Sequence, residues 1–332
     1  MEKIAVMGSN SFTGSHCVNT ILENTDYEVI GISRSPEYNK IFLPYSYKKE
    51  KPKKFNFHQL DINNDLDKIM KLLDKKQPKV IVNFAAQGEV SRSWDYPEQW
   101  FQTNCLGIVN LTNQLKDRKY LKRYIQISTP EIYGSCNNIK ENVTLFDPST
   151  PYAASKAAGD LFLLMIKKHF NFPLTMVRST NVFGIHQQLY RIIPRTIIYL
   201  KKGKIIQLHG GGVAIKSFIH VRDVTEGILK IINLRNPSLL YHFSPDDKGR
   251  SIASVVKLVC KKMGYDFKKA TKSTKERRGQ DAKYVLDSSK AKSELKWHQK
   301  IKFEDGIYEM IEWIDENWKE INKQPLGYIH KP

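Results

Sequence analysis

The chain has 332 residues, of which 41% are hydrophobic and 26% charged, the balance of an ordinary globular protein. No apolar run reaches membrane-spanning length and the first residues lack the pattern of a signal peptide, so we expect neither a membrane segment nor export, and a cytoplasmic location. Four scattered cysteines without metal-ligand spacing predict free thiols in a reducing compartment and no metal site.

The formal net charge is +19, from 53 basic and 34 acidic residues. A nucleic-acid partner would need a basic stripe with interleaved aromatic residues. The lysines are instead spread along the whole chain, so we expect no nucleic-acid site. A generally basic surface would still attract an anionic small molecule.

Strand-like apolar runs alternate with helical patterns through the first half of the chain. Predicted strands cover residues 4–7, 28–33, 55–60, 80–84, 124–128 and 174–178, and predicted helices cover residues 15–23, 65–74, 97–115 and 151–170. This alternation implies right-handed crossovers and a parallel sheet covered on both faces. We predict an α/β fold with a Rossmann-like doubly wound parallel sheet (residues 1–180) and a smaller C-terminal substrate lobe (residues 181–332), with segments that interleave.

A glycine-rich turn follows the first strand and opens the first helix, as in dinucleotide-binding proteins. Backbone N–H groups and the helix dipole at such a turn suit a pyrophosphate. Ser11 stands where the usual fingerprint has its middle glycine. The predicted cofactor contacts in this turn are Gly8, Asn10, Ser11, Phe12, Thr13 and Gly14.

The second strand ends at Arg34, where an NAD site usually has an acidic residue. An arginine there can hold a 2′-phosphate, which favours NADP, although a surface arginine over bound NAD stays an alternative. Asp61 and Ile62 follow the third strand and are expected to flank the adenine. The small side chains of Ala85 and Ala86 after the fourth strand would let the cofactor pass close to the backbone.

Tyr152 and Lys156 lie one helical turn apart, downstream of a Ser-Thr-Pro-Glu run at residues 128–131. The lysine charge is expected to lower the pKa of the tyrosine, so that the phenol can take a proton from a sugar or alcohol hydroxyl near neutral pH. Taken alone, this spacing is common on helices. Its combination with the glycine-rich turn and the Ser-Thr run makes it a predicted catalytic pair.

The chain resembles the extended short-chain dehydrogenase/reductases, and within them the nucleotide-sugar 4,6-dehydratases of the dTDP-glucose type. The resemblance covers nearly the whole chain and depends on an ordered set of short segments. They are residues 8–14, 83–86, 104, 128–134, 152–156, 178–184, 216–223, 277–281 and 287–297.

The resemblance implies oxidation of a nucleotide sugar at C4, loss of water across C5–C6 and hydride return to C6. Tyr152 would remove the 4-OH proton, Thr129 would bond the 4-oxygen, Lys156 the nicotinamide ribose, and Glu131 would take the C5 proton. Tyr152, Lys156 and Asn104 would also contact the cofactor, which is expected to be tightly bound and recycled. The implied substrate-binding residues are Gln87, Asn181, Arg191, Lys216 and Arg277.

Pro130 departs from the family pattern, because related enzymes have at this position an aspartate that helps the C6 hydroxyl to leave. Glu131 or water could replace it, or the chain could be a 4-epimerase or reductase of the same fold. A non-catalytic dinucleotide-binding sensor is a further alternative. The resemblance also implies a homodimer built by helices 97–115 and 151–170, unless their apolar stripes only cover the sheet.

Overall fold

The structure is a computed structural model and describes residues 2–142, 144–276, 278–279 and 281–331. Its strands are β1 (Lys3–Met7), β2 (Glu28–Ser33), β3 (Phe55–Gln59), β4 (Val80–Asn83), β5 (Arg123–Ile127), β6 (Cys136–Ile139), β7 (Leu174–Ser179), β8 (Asn181–Phe183), β9 (Ile206–His209), β10 (Ile215–Lys216), β11 (Phe218–His220), β12 (Leu240–Phe243), β13 (Arg250–Ser251), β14 (Thr271–Thr274) and β15 (Lys283–Leu286). Its α-helices are α1 (Phe12–Asn24), α2 (Leu66–Lys76), α3 (Pro97–Phe101), α4 (Gly107–Leu115), α5 (Pro151–Phe170), α6 (Ile192–Lys201), α7 (Val221–Asn233), α8 (Ile252–Lys262), α9 (Phe267–Ala270), α10 (Ser289–Leu295), α11 (Phe303–Glu316) and α12 (Trp318–Ile321).

Seven strands form a parallel sheet in the order β12-β7-β5-β4-β1-β2-β3, which confirms the predicted fold class. The apolar side chains of β1 and β2 are buried, as expected for a sheet with helices on both faces. The strand order reverses between β1 and β4, and ligands of such folds bind outside the carboxyl ends of the strands at this point. We therefore expect the ligand site at the loops after β1, β2 and β4.

The predicted helix over residues 97–115 is three segments in the structure. A π-helical segment, Gln102–Leu106, separates α3 from α4. The neighbouring helix α5 approaches it closely, because a Cβ on Gly159 would lie 2.4 Å from the carbonyl oxygen of Asn104. Simple helical periodicity could not predict the wider turn, which this close approach of α5 accompanies.

Small sheets form in addition, and the largest of them, in the order β13-β10-β15-β6, joins three strands of the second half to β6 of the first half. A separate apolar core joins α6, α8 and α11 beside the main sheet. The boundary near residue 180 stays a prediction, and β12 from the second half completes the main sheet. Within the described residues, the helices are too short or too polar to cross a bilayer.

Candidate active site

A cleft of about 1350 Å³ lies along the carboxyl ends of the main-sheet strands. Most residues predicted for the cofactor, the substrate and catalysis line this one cleft. The lining includes Gly8, Asn10, Ser11, Phe12, Thr13, Arg34, Asp61, Ile62, Ala85, Ala86, Gln87, Thr129, Glu131, Tyr152, Lys156, Asn181, Arg191 and Lys216. Gly14 and Asn104 are not part of the lining, and Arg277 lies outside the described residues.

The glycine-rich turn packs against the end of β4. Gly8 has a φ of +74°, and a Cβ there would lie 2.8 Å from the backbone nitrogen of Ala85. Helix α1 begins inside the turn, where the Ser11 hydroxyl accepts a hydrogen bond from the N–H of Gly14 at 3.1 Å. The N–H groups of Phe12 and Thr13, in the first helical turn, have no partner within the helix. The turn thus offers donors for a phosphate.

Asn10 ties this turn to the loop after β2. Its amide Nδ2 donates to the carbonyl oxygens of Ser35 and Pro36, at 2.9 and 2.8 Å. Its Oδ1 is buried and has no hydrogen-bond partner in the protein, an acceptor that a ligand group can use. This unpaired acceptor and the donors of the glycine-rich turn together fit a bound dinucleotide.

Arg34 and Asp61 lie at the same end of the cleft. Both carboxylate oxygens of Asp61 accept hydrogen bonds from its own loop, from the N–H of Asn63 at 2.9 Å and from the amide of Asn64 at 3.1 Å. The Arg34 guanidinium donates to the carbonyl oxygen of Lys331 at 2.9 Å. A segment far along the chain therefore reaches this end of the cleft.

Asn104 supports the site from behind instead of lining it. Its side chain accepts from the backbone N–H of Gln87 at 2.9 Å and donates to the carbonyl of Gln87 at 3.1 Å. It also donates to the Ser155 hydroxyl at 3.0 Å. These bonds hold the loop after β4 against the helix that carries Tyr152, so the geometry gives Asn104 a positioning role.

Tyr152 and Lys156 lie on the first turns of α5, next to the end of β5. The predicted lowering of the Tyr152 pKa by Lys156 is wrong: burial and the charge of Glu131 raise the pKa of Tyr152 above its ordinary value, despite a hydrogen bond with Thr129. Lys156 is buried and donates to the carbonyl oxygen of Ile127 at 2.8 Å. Burial lowers its own pKa. Desolvation thus outweighs the expected lysine–tyrosine interaction.

Glu131 faces Tyr152 from a short 3-10 helix, Pro130–Tyr133. Thr129 caps this helix by accepting the N–H of Glu131 at 3.3 Å, and proline fits the first helical position, where no N–H partner is needed. Burial raises the pKa of Glu131 to about 7, although Lys216 opposes the shift. The carboxyl group is therefore suited to both accept and release a proton near neutral pH.

Lys216 lies near Glu131, and its ammonium group is surrounded by polar and aromatic groups. Its ammonium group donates to the carbonyl oxygen of Asp281 at 3.1 Å and lies 3.9 Å from the ring centre of Tyr284. The Tyr284 hydroxyl donates to Asn181 at 2.8 Å. Burial lowers the pKa of Lys216, while Glu131 opposes this.

Arg191 contributes a second cation to the same part of the cleft. Its guanidinium lies 3.7 Å from the carboxylate of Glu89, and its charge acts on both Tyr152 and Glu131. Together with Lys216, it makes this end of the cleft suitable for an anionic substrate group.

Several lining residues were not predicted from the sequence. Glu89 is separated by one residue from the predicted Gln87, and Tyr284 follows the predicted 277–281 segment, so proximity to those motifs was an available signal. The lining also contains Tyr328 and Lys331. No local pattern could place these last residues, because they reach the cleft only through the tertiary fold.

The fold and cleft define an extended short-chain dehydrogenase/reductase. The chain belongs to the family described as GDP-mannose 4,6 dehydratase, which matches residues 6–310. It is 26% identical to a dTDP-glucose 4,6-dehydratase of Escherichia coli, over 95% of this chain and 94% of that protein. It is also 26% identical to a dTDP-D-glucose 4,6-dehydratase of Mus musculus, over 97% of this chain and 92% of that protein.

Solved structures extend the similarity to three dimensions. The dTDP-glucose 4,6-dehydratase DesIV of Streptomyces venezuelae, with NAD and TYD bound, has a TM-score of 0.86 and 25% identity, over 96% of this chain and 98% of that one. A UDP-glucuronic acid 4-epimerase of Bacillus cereus has a TM-score of 0.85 at 24% identity, over 95% of this chain and 99% of that one. The epimerase demonstrates the shared fold alone.

Proposed function

We propose that this protein is an NDP-glucose 4,6-dehydratase that converts dTDP- or UDP-glucose to the 4-keto-6-deoxy sugar and water. The observation that carries the proposal is the position of Glu131, a half-buried carboxyl group that acts electrostatically on Tyr152 and has a pKa raised to about 7. A 4,6-dehydration needs a base at C5, whereas a 4-epimerisation does not.

The chain's own residues supply the proton transfers. A bound nicotinamide dinucleotide would accept hydride from C4 and return it to C6. Tyr152 accepts the 4-OH proton in its phenolate form, which the positive charge of a bound oxidised nicotinamide would favour against the effect of burial. Thr129 bonds the 4-oxygen, and Lys156 is oriented by the carbonyl of Ile127. Glu131 then takes the C5 proton, which the C4 ketone has made acidic.

Glu131 also replaces the aspartate missing at Pro130. After it takes the C5 proton, its neutral carboxylic acid gives that proton to the departing C6 hydroxyl, which leaves as water. Burial favours this neutral form, so the same residue can act as base and then as acid. When hydride returns to C6, C5 takes up one proton from solvent through Glu131, and Tyr152 releases to solvent the proton that it took from the 4-OH. The sugar diphosphate is proposed to contact Asn181, Arg191, Lys216 and Arg277. Residues 181–332 are proposed as the substrate lobe, with segments that interleave with the first half of the chain.

The direct test is incubation of the purified protein with dTDP-glucose, UDP-glucose, CDP-glucose and GDP-mannose in separate reactions. We expect a product lighter by one water with dTDP- or UDP-glucose. A product of unchanged mass but inverted at C4 would instead identify a 4-epimerase, the second candidate that the shared fold allows. No conversion of any of the four sugars, by protein that binds dinucleotide, would favour the non-catalytic sensor.

The cofactor is proposed to be NADP in preference to NAD, tightly bound and recycled. Arg34 follows β2 between two serines, of which Ser33 accepts a hydrogen bond from the N–H of Asn10 at 3.0 Å. The guanidinium and the serine hydroxyl groups suit a 2′-phosphate. The bound NAD of the similar structures leaves NAD as the alternative.

Replacing Arg34 tests this preference. We expect Arg34→Asp to weaken NADP binding by roughly 10- to 100-fold and NAD binding much less, because a carboxylate repels the 2′-phosphate but can bond a 2′-hydroxyl, whereas loss of the Arg34 bond to Lys331 affects both cofactors alike. Titration of the dinucleotide-free protein with each cofactor measures both affinities. Equal effects on the two cofactors would contradict the assignment.

A homodimer is proposed from residues 97–115, which comprise α3, the π-helical segment and α4, and from α5. Leu161 and Met165 lie one turn apart on α5 and are 51% and 44% exposed, and Leu106 is 47% exposed, so this apolar surface is not used to cover the sheet. We also propose a reducing, cytoplasmic location, because all four cysteines are free thiols.

Charged substitutions on this surface test the dimer. We expect the wild-type protein to sediment as a dimer at micromolar concentration and Leu161→Glu/Met165→Glu to sediment as a monomer, because each carboxylate would be buried without a partner. Ile205→Glu, at a 49% exposed site outside this surface, is the control and should leave the dimer intact. A monomeric wild-type protein would reject the proposal.

A further inference from the structure

The segment at residues 326–331, here called the strap, lines the cleft and joins the loop after β2 to the loop after β4. The backbone carbonyl of Lys331 accepts hydrogen bonds from Arg34 Nη2 at 2.9 Å and from Gln87 Nε2 at 2.6 Å. Arg34 follows β2 and Gln87 lies after β4, and these strands flank β1 in the sheet. The strap therefore passes over the glycine-rich turn that follows β1.

Aromatic contacts hold the strap on both sides of the cleft. The His330 ring stacks parallel to Tyr96 and to the buried Trp100, with centroid distances of 4.8 and 5.6 Å, and its Nε2 lies 2.7 Å from Gln99 Oε1. On the opposite side, Tyr328 packs edge-on against Tyr190 at 5.4 Å. These anchors join the nucleotide-binding half to the chain just before α6.

The strap also adds positive charge at the adenosine end of the cleft. The Lys331 ammonium donates to the Ser35 hydroxyl at 2.9 Å, one residue after Arg34. Two cations therefore lie beside the loop after β2. A dinucleotide carries a pyrophosphate, and such a ligand is attracted to paired cations near helix N-terminal N–H groups.

The strap lines the cleft without filling it. With the strap in place the cleft still measures about 1350 Å³, and its lining includes both strap residues and the glycine-rich turn. This exceeds the usual volume of small-molecule sites, about 300–1,000 Å³, so the strap leaves room for a ligand in the cleft.

We propose that the strap is part of the dinucleotide site and closes over the bound cofactor, so that the cofactor stays on the protein between turnovers. Release requires the strap to lift, which breaks the two hydrogen bonds of the Lys331 carbonyl and the stacking of His330. This inference rests on the proposed recycling of the cofactor and extends it to named residues.

Two variants test the strap in the absence of any sugar substrate. One ends the chain after residue 325, and the other is the full-length double substitution His330→Ala/Lys331→Ala. The matched control is Lys323→Ala, which removes a lysine whose partner is the exposed Glu320. The measurements are the dinucleotide retained after gel filtration and the dissociation rates of NAD and NADP, with circular dichroism to check folding.

We expect both variants to release dinucleotide roughly tenfold faster or more, because retention of a bound ligand is set mainly by its dissociation rate. The control should match the wild type. Unchanged dissociation in the full-length double variant overturns the proposal, as does slower dissociation or tighter binding, which would mean that the segment obstructs the site. The dissociation measurements contain no sugar and are therefore independent of the dehydration assay. A protein that retains dinucleotide through the strap in the first experiment but dehydrates no sugar in the second contradicts only the proposed function.

Discussion

Glu131→Gln should abolish most of the dehydration while leaving oxidation at C4 in place. Glutamine keeps the size and the backbone contacts of the short 3-10 helix but cannot accept the C5 proton. General acid–base groups contribute about 10²–10⁴-fold, so we expect a loss of this size in the rate of water elimination. Mass analysis measures the dehydrated product, and absorbance measures the transient reduced cofactor.

Tyr152→Phe is the matched comparison, because it removes the phenol that takes the 4-OH proton at the start of the reaction. Both the reduced cofactor and the dehydrated product should then be lost. The two time courses separate the roles of the two residues. Equal loss of both half-reactions in Glu131→Gln would make Glu131 a structural residue and would favour the epimerase candidate.

Because the pKa of Glu131 is raised, both the rate of elimination and the free energy of unfolding should depend on pH. Elimination needs the carboxylate, so its rate should rise with pH until about 7, the folded-state pKa. The folded state favours the protonated form of Glu131. Its contribution to the free energy of unfolding is therefore present at low pH and is lost as pH rises from the ordinary carboxyl range towards about 7. Glu131→Gln should therefore raise the free energy of unfolding more at about pH 8 than at about pH 5.

The architecture was readable from the sequence because each parallel strand is a continuous apolar run between helical patterns. All six predicted strands occur within one residue of their predicted ends. The seventh strand, β12, was missed because it lies in the second half, where short elements replace the regular alternation of strands and helices. The π-helical break at residues 102–106 was missed because a tertiary contact at Gly159 accompanies it.

Site residues that lie in short sequence motifs could be predicted. Properties that depend on contacts between distant parts of the chain could not. Gly8, Thr129 and Tyr152 lie in such motifs and line one cleft. The direction of the Tyr152 pKa shift could not be predicted, because it depends on how burial compares with the lysine charge. Arg34 and Lys331 are 297 positions apart in the sequence, so no local sequence pattern could predict their contact.

A buried ion pair beneath the catalytic residues predicts the largest effect on stability. Asp160 lies one helical turn after Lys156 on α5, and its carboxylate accepts from Arg178 at 3.0 Å and from the Ser128 hydroxyl at 2.5 Å. Arg178 is fully buried and also donates to the Tyr133 hydroxyl and to the carbonyl of Asn142. Ser128 precedes and Tyr133 follows the Thr129–Glu131 stretch, so the pair fixes this stretch relative to α5.

We expect Asp160→Asn to lower the free energy of unfolding by about 3–5 kcal/mol, because the amide keeps the side-chain shape but leaves the Arg178 charge buried without a counter-charge. The control is Asp74→Asn, which breaks the pair of Asp74 with Arg118, about two-fifths exposed on each side, and should cost about 0–1 kcal/mol. Denaturant unfolding of both variants measures the difference. If the two losses were equal, the Asp160–Arg178 pair would not hold the catalytic segment in place, and the positions of Thr129 and Glu131 would have to depend on helix capping alone.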